Sequence, residues 1–174
     1  MNNDIQLPTQ CKTEKLKRKK LFWACLISFV VVVSASLTFI FINSNRYVPP
    51  AFDNNALAGT PNPPEELGYS VASISNGYQV GLSGNLMENN SNVKVYFTSP
   101  ESNTVWIKLL ISDESGATLA ETGIIKPGQY IESVQLNKAL ESSKTPVNLK
   151  VMAYEPDTYL SAGSVNLNTV IAHN

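Results

Sequence analysis

An apolar run without a single charged residue constrains this chain more than any other feature. It extends over 22 residues, from Leu21 to Ile42. As a helix rising about 1.5 Å per residue, such a run would cover roughly 33 Å, and the hydrocarbon core of a bilayer is about 30 Å thick. The sequence therefore predicts a transmembrane helix over residues 21–42, in contact with the lipid bilayer.

The charges that flank the run predict its direction. The 20 residues before it contain two carboxylates and six cations: Lys12, Lys15, Lys17, Arg18, Lys19 and Lys20. The 30 residues after it contain a single cation, Arg46. Because an excess of Lys and Arg marks the cytoplasmic flank, these six residues are expected to set the topology. We expect a cytoplasmic tail over residues 1–20 and an extracellular C-terminal part, in a single-pass protein of the cell membrane.

A cleaved signal peptide and a lipoprotein signal are the alternatives to a retained signal-anchor. Signal peptides have a shorter apolar stretch, about 7–15 residues, followed by a small-x-small cleavage site. Here the triplet Ser34-Ala35-Ser36 lies inside the run, which favours retention but leaves cleavage open. The lipoprotein alternative is disfavoured because Cys25 lies near the start of the run, after a poorly matching Phe22-Trp23-Ala24.

Proline and asparagine dominate the next segment, residues 43–68. Five of the ten prolines of the chain lie there: Pro49, Pro50, Pro61, Pro63 and Pro64. Proline fixes φ and removes a backbone donor, so the sequence predicts an extended linker. Its aromatic and leucine side chains are not needed in a spacer. Either they form a recognition segment or they dock on the domain, and we expect docking at the Leu67–Tyr69 end.

The part of the chain beyond the apolar run is acidic and free of cysteine. From Asn43 onward it contains seven cations and twelve carboxylates, and both cysteines lie before Ile42. An acidic domain argues against nucleic acid as a partner. Without disulfides, the domain must be stabilised by its core alone. About 130 residues suffice for one domain.

Alternation of apolar and polar residues predicts seven short strands in residues 69–174. The clearest alternation covers 93–97, 104–112, 147–154 and 164–171, and weaker candidates are 77–83, 118–125 and 129–136. Turn signals separate them: Asp113–Gly116 fits a type I turn closed by glycine, and Pro127-Gly128 fits a type II turn. The prediction is an all-β extracellular sandwich of the immunoglobulin or fibronectin III type.

Two longer stretches around these strands carry a family resemblance. They are VKVYFTSPESNTVWIKLLISDESGATLAETGIIKPGQYIESVQL and LKVMAYEPDTYLSAGSVNLNT, with Gly59–Pro63 and Leu67–Tyr69 upstream. Across most of residues 57–171 the chain resembles an uncharacterised family of small single-pass membrane proteins of Firmicutes. The resemblance implies an anchor, an extracellular β-domain and a Gram-positive cell surface, and it implies no activity, ligand or functional residue.

Catalytic chemistry finds little support in the residue types beyond the anchor. A nucleophile needs an adjacent base, and the only histidine, His173, lies one residue from the C-terminus. The carboxylates at Asp113-Glu114 and Glu155–Asp157 lack the Asp-x-Asp-x-Asp spacing of calcium loops. We therefore expect no enzyme activity, no metal and no cofactor.

The best candidate for binding a partner is the loop that joins the last two strands. It combines aromatic and acidic side chains in Tyr154, Glu155, Pro156, Asp157 and Tyr159. Trp106 is a further candidate, because tryptophan is enriched at binding hot spots. For the loop tyrosines and for Trp106 the alternative is packing against the sandwich, which the sequence favours.

Two functions are compatible with these features. The first is a membrane-tethered extracellular interaction module without catalytic activity, such as an accessory of a surface, pilus, secretion or conjugation assembly. The second is a module that binds carbohydrate or the cell wall. Its candidate platforms are Tyr96, Trp106, Tyr130, Tyr154 and Tyr159. The expected partner is thus a surface protein or a cell-wall glycan.

Overall fold

The computed structural model describes residues 22–23, 26–34, 47–140 and 142–173. Contacts divide the chain into two compact units, Met1–Val48 and Pro49–Asn174. In the first unit, residues 22–23 and 26–34 are helical and solvent-exposed. The rest of the expected transmembrane helix and all six topology-setting cations lie outside the described residues. Within the described ranges, no helix has both the length and the apolar character needed to cross a membrane.

The second unit is built from β-strands. A single turn of 3-10 helix, Glu65–Leu67, is the one helical element among its described residues. The strands are β1 (Leu57–Ala58), β2 (Tyr69–Ser73), β3 (Gln79–Ser83), β4 (Leu86–Asn89), β5 (Asn92–Ser99), β6 (Trp106–Asp113), β7 (Thr118–Glu121), β8 (Gln129–Gln135), β9 (Lys144–Tyr154) and β10 (Ser161–His173). The all-β class predicted from the alternation is confirmed, with ten strands among the described residues in place of seven. All seven predicted strands are present, and β1, β2 and β4 are additional.

The ten strands form one curled sheet with two halves. One half runs β1-β8-β5, with β3 alongside β5 and β2 outside β3. The other half runs β10-β9-β6-β7. Strand β4 joins them, because it pairs antiparallel with β5 and parallel with β10. The sheet therefore curls around a core through one short strand.

Side chains that alternate along the strands fill the space between the halves. In β6, Ile107, Leu109 and Ile111 are fully buried, as expected from their period of two. They pack in one cluster with side chains of the opposite half, among them Phe97 and Ile131. The opposite face of β6, which begins with Trp106, is only partly covered.

Both predicted turns are confirmed. Gly116 has a φ of 85°, and its N–H donates to the carbonyl of Asp113 at 2.9 Å. Gly128 has a φ of 75°, and the Gln129 N–H donates to Lys126 O at 3.1 Å, as a type II turn requires. These turns fix the register of β6 against β7 and the start of β8.

The expected extended linker over residues 43–68 is wrong for the part that follows Pro49. Leu57 and Ala58 form β1 against β8, and Leu67 is buried. The Gly59 N–H donates to Gly128 O at 2.8 Å. The prolines of this segment do not prevent the docking. Each lacks only its own N–H, and the N–H and C=O groups of neighbouring residues can still pair at the edge of the sheet. The predicted docking of the Leu67–Tyr69 end is confirmed, and residues 43–46 lie outside the described ranges.

Candidate functional site

The loop between β9 and β10 is a compact, hydrogen-bonded connection. The Glu155 N–H donates to Leu160 O at 2.8 Å, and the Tyr159 N–H donates to Glu155 O at 3.0 Å. Asp157 and Tyr159 have positive φ angles of 68° and 56°. Such angles are uncommon for residues other than glycine, and the internal hydrogen bonds help to hold them. The loop thus presents Tyr159 in a defined conformation.

Trp106 and Tyr159, both predicted as candidates, meet in the structure. Their ring centroids lie 5.2 Å apart with an interplanar angle of 67°. A third ring, Phe52, lies 4.9 Å from Trp106 at 72° and 6.4 Å from Tyr159. The two pairs that include Trp106 are packed edge to face, which is one of the favoured arrangements of aromatic rings. We call Phe52, Trp106 and Tyr159 the aromatic cluster.

Phe52 is the member of the aromatic cluster that sequence reasoning missed. Its backbone forms a parallel bridge with Ile124. The Ile124 N–H donates to Ala51 O at 2.8 Å, and the Asp53 N–H donates to Ile124 O at 2.9 Å. The only signal in the sequence was an aromatic residue in a segment that otherwise resembled a spacer.

A side-chain contact and a glycine hold Phe52 in place. The Asp53 carboxylate accepts the Gly123 N–H at 2.6 Å. A Cβ at Gly123 would lie 2.5 Å from the backbone nitrogen of Asp53, so only glycine allows the two chains to approach this closely. The close approach of the chain at Gly123 therefore positions the Phe52 ring.

Tyr154 extends the aromatic cluster across the outward face of the sheet. It lies directly opposite Trp106 in the β6–β9 register. Its hydroxyl contacts the sulfur of Met152 at 3.7 Å, and Met152 lies opposite Lys108. Lys108 in turn forms an ion pair with Glu121 at 2.9 Å. The outward face therefore changes from aromatic at the loop end to charged towards β7.

The rim of the cluster carries exposed and charged groups. Lys126 Nζ lies 4.5 Å from the centroid of the Phe52 ring, within reach of a cation–π interaction. In the loop that contains Tyr159, Glu155 and Asp157 are exposed and Pro156 is partly buried. Leu160 is 66% exposed, more than Phe52 at 37%. Of the predicted candidates, the structure thus brings together Trp106, Tyr154 and Tyr159, whereas Glu155 and Asp157 are exposed residues of the same loop.

The acid–base pair His173 and Glu88 lies at the end of β10, whereas the aromatic cluster lies near its start. His173 pairs through Nδ1 with Glu88, where β10 meets β4. The hydrogen bond from His173, with a second from the Ser91 N–H, lowers the pKa of the Glu88 carboxyl. Among the described residues, no group of three or more His, Cys, Asp or Glu side chains could hold a metal ion. The contacts at the aromatic cluster are ring packing and the cation–π contact of Lys126 with Phe52.

Comparison of the chain with protein-family models, with curated proteins and with solved structures found no match.

Proposed function

We propose that this protein is a membrane-tethered extracellular interaction module without catalytic activity, which binds a protein partner through the aromatic cluster and its rim. The single observation that carries the proposal is the packing of Phe52, Trp106 and Tyr159 at one end of the outward face. Tryptophan and tyrosine are the side chains most enriched at binding hot spots. Loops at the ends of rigid β-scaffolds are common binding sites.

The ring geometry favours a protein partner over a carbohydrate. The three pairs of rings are inclined at 72°, 58° and 67° to one another. Rings packed edge to face form an uneven apolar surface and no shared flat platform on which a sugar would stack. The rings of the aromatic cluster resemble the apolar centre of a protein interface, and the exposed Leu160 and the cation Lys126 resemble its rim.

The pairing order is compatible with an immunoglobulin-like sandwich, which we propose as the finer fold. With β5, β6, β8, β9 and β10 taken as strands B, C, E, F and G, strand B pairs with E, and C, F and G form the opposing half. β7 then takes the C′ position beside C, as in variable-type domains. β1 and β2 are additions at the two ends of the B–E half.

Tethering to the membrane rests on the charge-free run of residues 21–42 and its basic flank. Exposed apolar side chains in residues 26–34 also support it, because lipid would cover them. The excess of cations before the run supports a cytoplasmic N-terminus and an extracellular domain. The resemblance to single-pass proteins of Firmicutes favours a Gram-positive surface.

Capture from the cell envelope by matched variants tests the proposed binding surface. The full chain would be used as bait in four forms: wild type, Trp106→Ala, Leu160→Asp and the control Val71→Ala. Val71 is 49% exposed on β2, away from the aromatic cluster in the strand order. We expect wild type and Val71→Ala to retain the same envelope protein. Loss of a hot spot typically weakens binding by about 30-fold or more, so Trp106→Ala and Leu160→Asp should both fail to retain this protein.

Leu160→Asp keeps this test decisive if Trp106→Ala unfolds, because Leu160 is mostly exposed. Circular dichroism of each variant gives the control for folding. Equal capture by wild type and a folded Leu160→Asp variant would contradict the proposal. If the bait instead retains cell-wall glycan and no protein, and added soluble glycan releases it, the result would support the carbohydrate alternative.

A further inference from the structure

Strand β10 has an edge that is left open along its middle. It pairs with β9 from Ser161 to Ala172, but on its other side it pairs only with β4, over Ile171–His173. No second strand lies beside Ser164–Asn168 in the part of the chain that the structure describes. We call Ser164–Asn168 the open edge. Its unpaired backbone N–H and C=O groups offer a template for another strand.

Contacts at both ends define the length of the open edge. The Thr169 hydroxyl donates to Gly84 O at 3.3 Å. Gly84 lies between β3 and β4, so this connection and β4 cover β10 beyond Asn168. At the other end, β10 has a register irregularity between Ser161 and Gly163. The segment between them is five residues long. This is close to the six or seven residues of segments that pair strongly with copies of themselves.

The open edge lacks the charged side chains and prolines that normally prevent strand pairing. Natural edge strands carry lysine, proline or inward-pointing charges. Residues 161–172 contain no charged residue and no proline. Leu167 belongs to the inward-facing set, because it lies opposite the buried Leu149, yet its side chain is 41% exposed. An added strand would cover this side chain.

We propose that the open edge pairs antiparallel with the same edge of a second copy of this chain. The absence of charge is the observation that selects a second copy. Identical segments placed side by side bring identical charges together, and here there are none to repel. Two-fold symmetry about Asn166 places each residue of the edge opposite one from the other copy, with Leu167 beside Val165. The half-sheet β10-β9-β6-β7 then continues into its counterpart.

The small size of the contact predicts a weak association that the membrane strengthens. A stable dimer buries about 800 Å² on each partner, more than a five-residue edge provides. Tethering raises the effective concentration of the second copy, so pairing is expected on the membrane and not in dilute solution. The strengthening by tethering rests on the proposed membrane anchor. The proposed pairing of the open edge does not depend on that anchor.

Cysteine cross-linking of the full chain in lipid vesicles tests the proposal. In a background with Cys11→Ser and Cys25→Ser, single cysteines would replace Ser164, Asn166 or Asn168. Directly opposite residues have Cβ atoms about 4.5–5.5 Å apart, close to the reach of a disulfide. We expect a disulfide-linked dimer that is strongest with Asn166→Cys. The control is Asn92→Cys, an exposed asparagine on β5 in the other half of the sheet.

Two charge substitutions complete the test. Added to Asn166→Cys, Leu167→Lys should reduce the dimer at least fivefold, because a charge at the inward-facing edge position opposes pairing. Val71→Lys, at a similarly exposed apolar residue of the β2 edge, should leave it unchanged. Cross-linking no stronger than with Asn92→Cys, or unaffected by Leu167→Lys, would overturn the proposal. With the same variants in native membranes, cross-linking of Asn166→Cys to a different protein instead of a second copy would overturn it too. Neither result depends on the aromatic cluster.

Discussion

At the scale of single residues, the pair Glu88 and His173 has the most direct energetic consequence. The Glu88 side chain is 95% buried, and its carboxylate accepts the Ser91 N–H at 2.5 Å while pairing with His173. Ser91 and the neighbouring Asn90 have positive φ angles, as in a type I′ hairpin turn between β4 and β5. One carboxylate therefore links that turn to the last described residue of β10.

The lowered pKa of Glu88 predicts how stability depends on pH. A carboxyl group whose pKa is lower in the folded state stabilises the fold above its unfolded pKa of about 4.5. This stabilisation is lost as the pH falls through the folded-state pKa. Glu88→Gln should lower the free energy of unfolding at pH 7, and the difference from wild type should shrink below pH 4.5.

Urea unfolding of the Pro49–Asn174 unit from pH 7 to pH 3 measures this difference. Glu114→Gln, at an exposed glutamate of the β6–β7 turn, is the control and should follow the wild-type curve. A constant difference between Glu88→Gln and wild type across the whole range would show that the carboxylate charge plays no part.

At the scale of elements, the segment 51–58 determines where the domain begins and how the aromatic cluster forms. It pairs with Ile124 through Ala51 and Asp53 and with β8 through β1. All of these contacts are made by backbone groups. The chain can approach Gly123 closely at Phe52 and Asp53 because glycine has no Cβ. The segment is therefore part of the fold and also supplies one ring of the proposed binding surface.

Gly123→Ala should release this segment, because the new Cβ would lie 2.5 Å from the Asp53 nitrogen and 2.6 Å from its Cα. We expect a loss of about 1–3 kcal/mol in the free energy of unfolding. Phe52→Ala alone should cost about 1–2 kcal/mol through the lost ring contacts. The fluorescence of Trp106, the only tryptophan of the Pro49–Asn174 unit, reports on both.

The two substitutions should not be additive. Once Gly123→Ala has displaced the segment, removing the Phe52 ring should cost little more. Additive losses in the double variant would show that Phe52 is held independently of the close approach at Gly123.

The sequence could predict those strands whose side chains alternate clearly, such as β6 and β9, and turns marked by glycine. It could also predict Trp106 and the loop tyrosines as candidates for binding. Strands β1 and β4 have two and four residues, too few for a period of two to be recognised. Phe52 meets Trp106 through backbone pairing with Ile124, far along the chain, and no local pattern indicates such a contact.

At the scale of the whole molecule, the buried core and both proposed contact surfaces belong to the Pro49–Asn174 unit. Its buried apolar side chains run from Leu67 to Ile171. It contains no cysteine, so it is stabilised by this core and by polar pairs such as Glu88 and His173, without a disulfide. Its two proposed contact surfaces use different parts of one half-sheet. The aromatic cluster lies at the end near the β9–β10 loop, and the open edge lies along β10. One module could thus bind a partner while pairing with a second copy.

Photo-cross-linking in living cells tests the central claim, binding through the aromatic cluster, most directly. A photoreactive amino acid would replace Leu160 beside the cluster or, as the control, Ser115 in the β6–β7 turn, both exposed. We expect one recurrent adduct with a surface protein from position 160, lost when Trp106→Ala is added, and none from position 115. No adduct from position 160, or the same adducts from both positions, would contradict it.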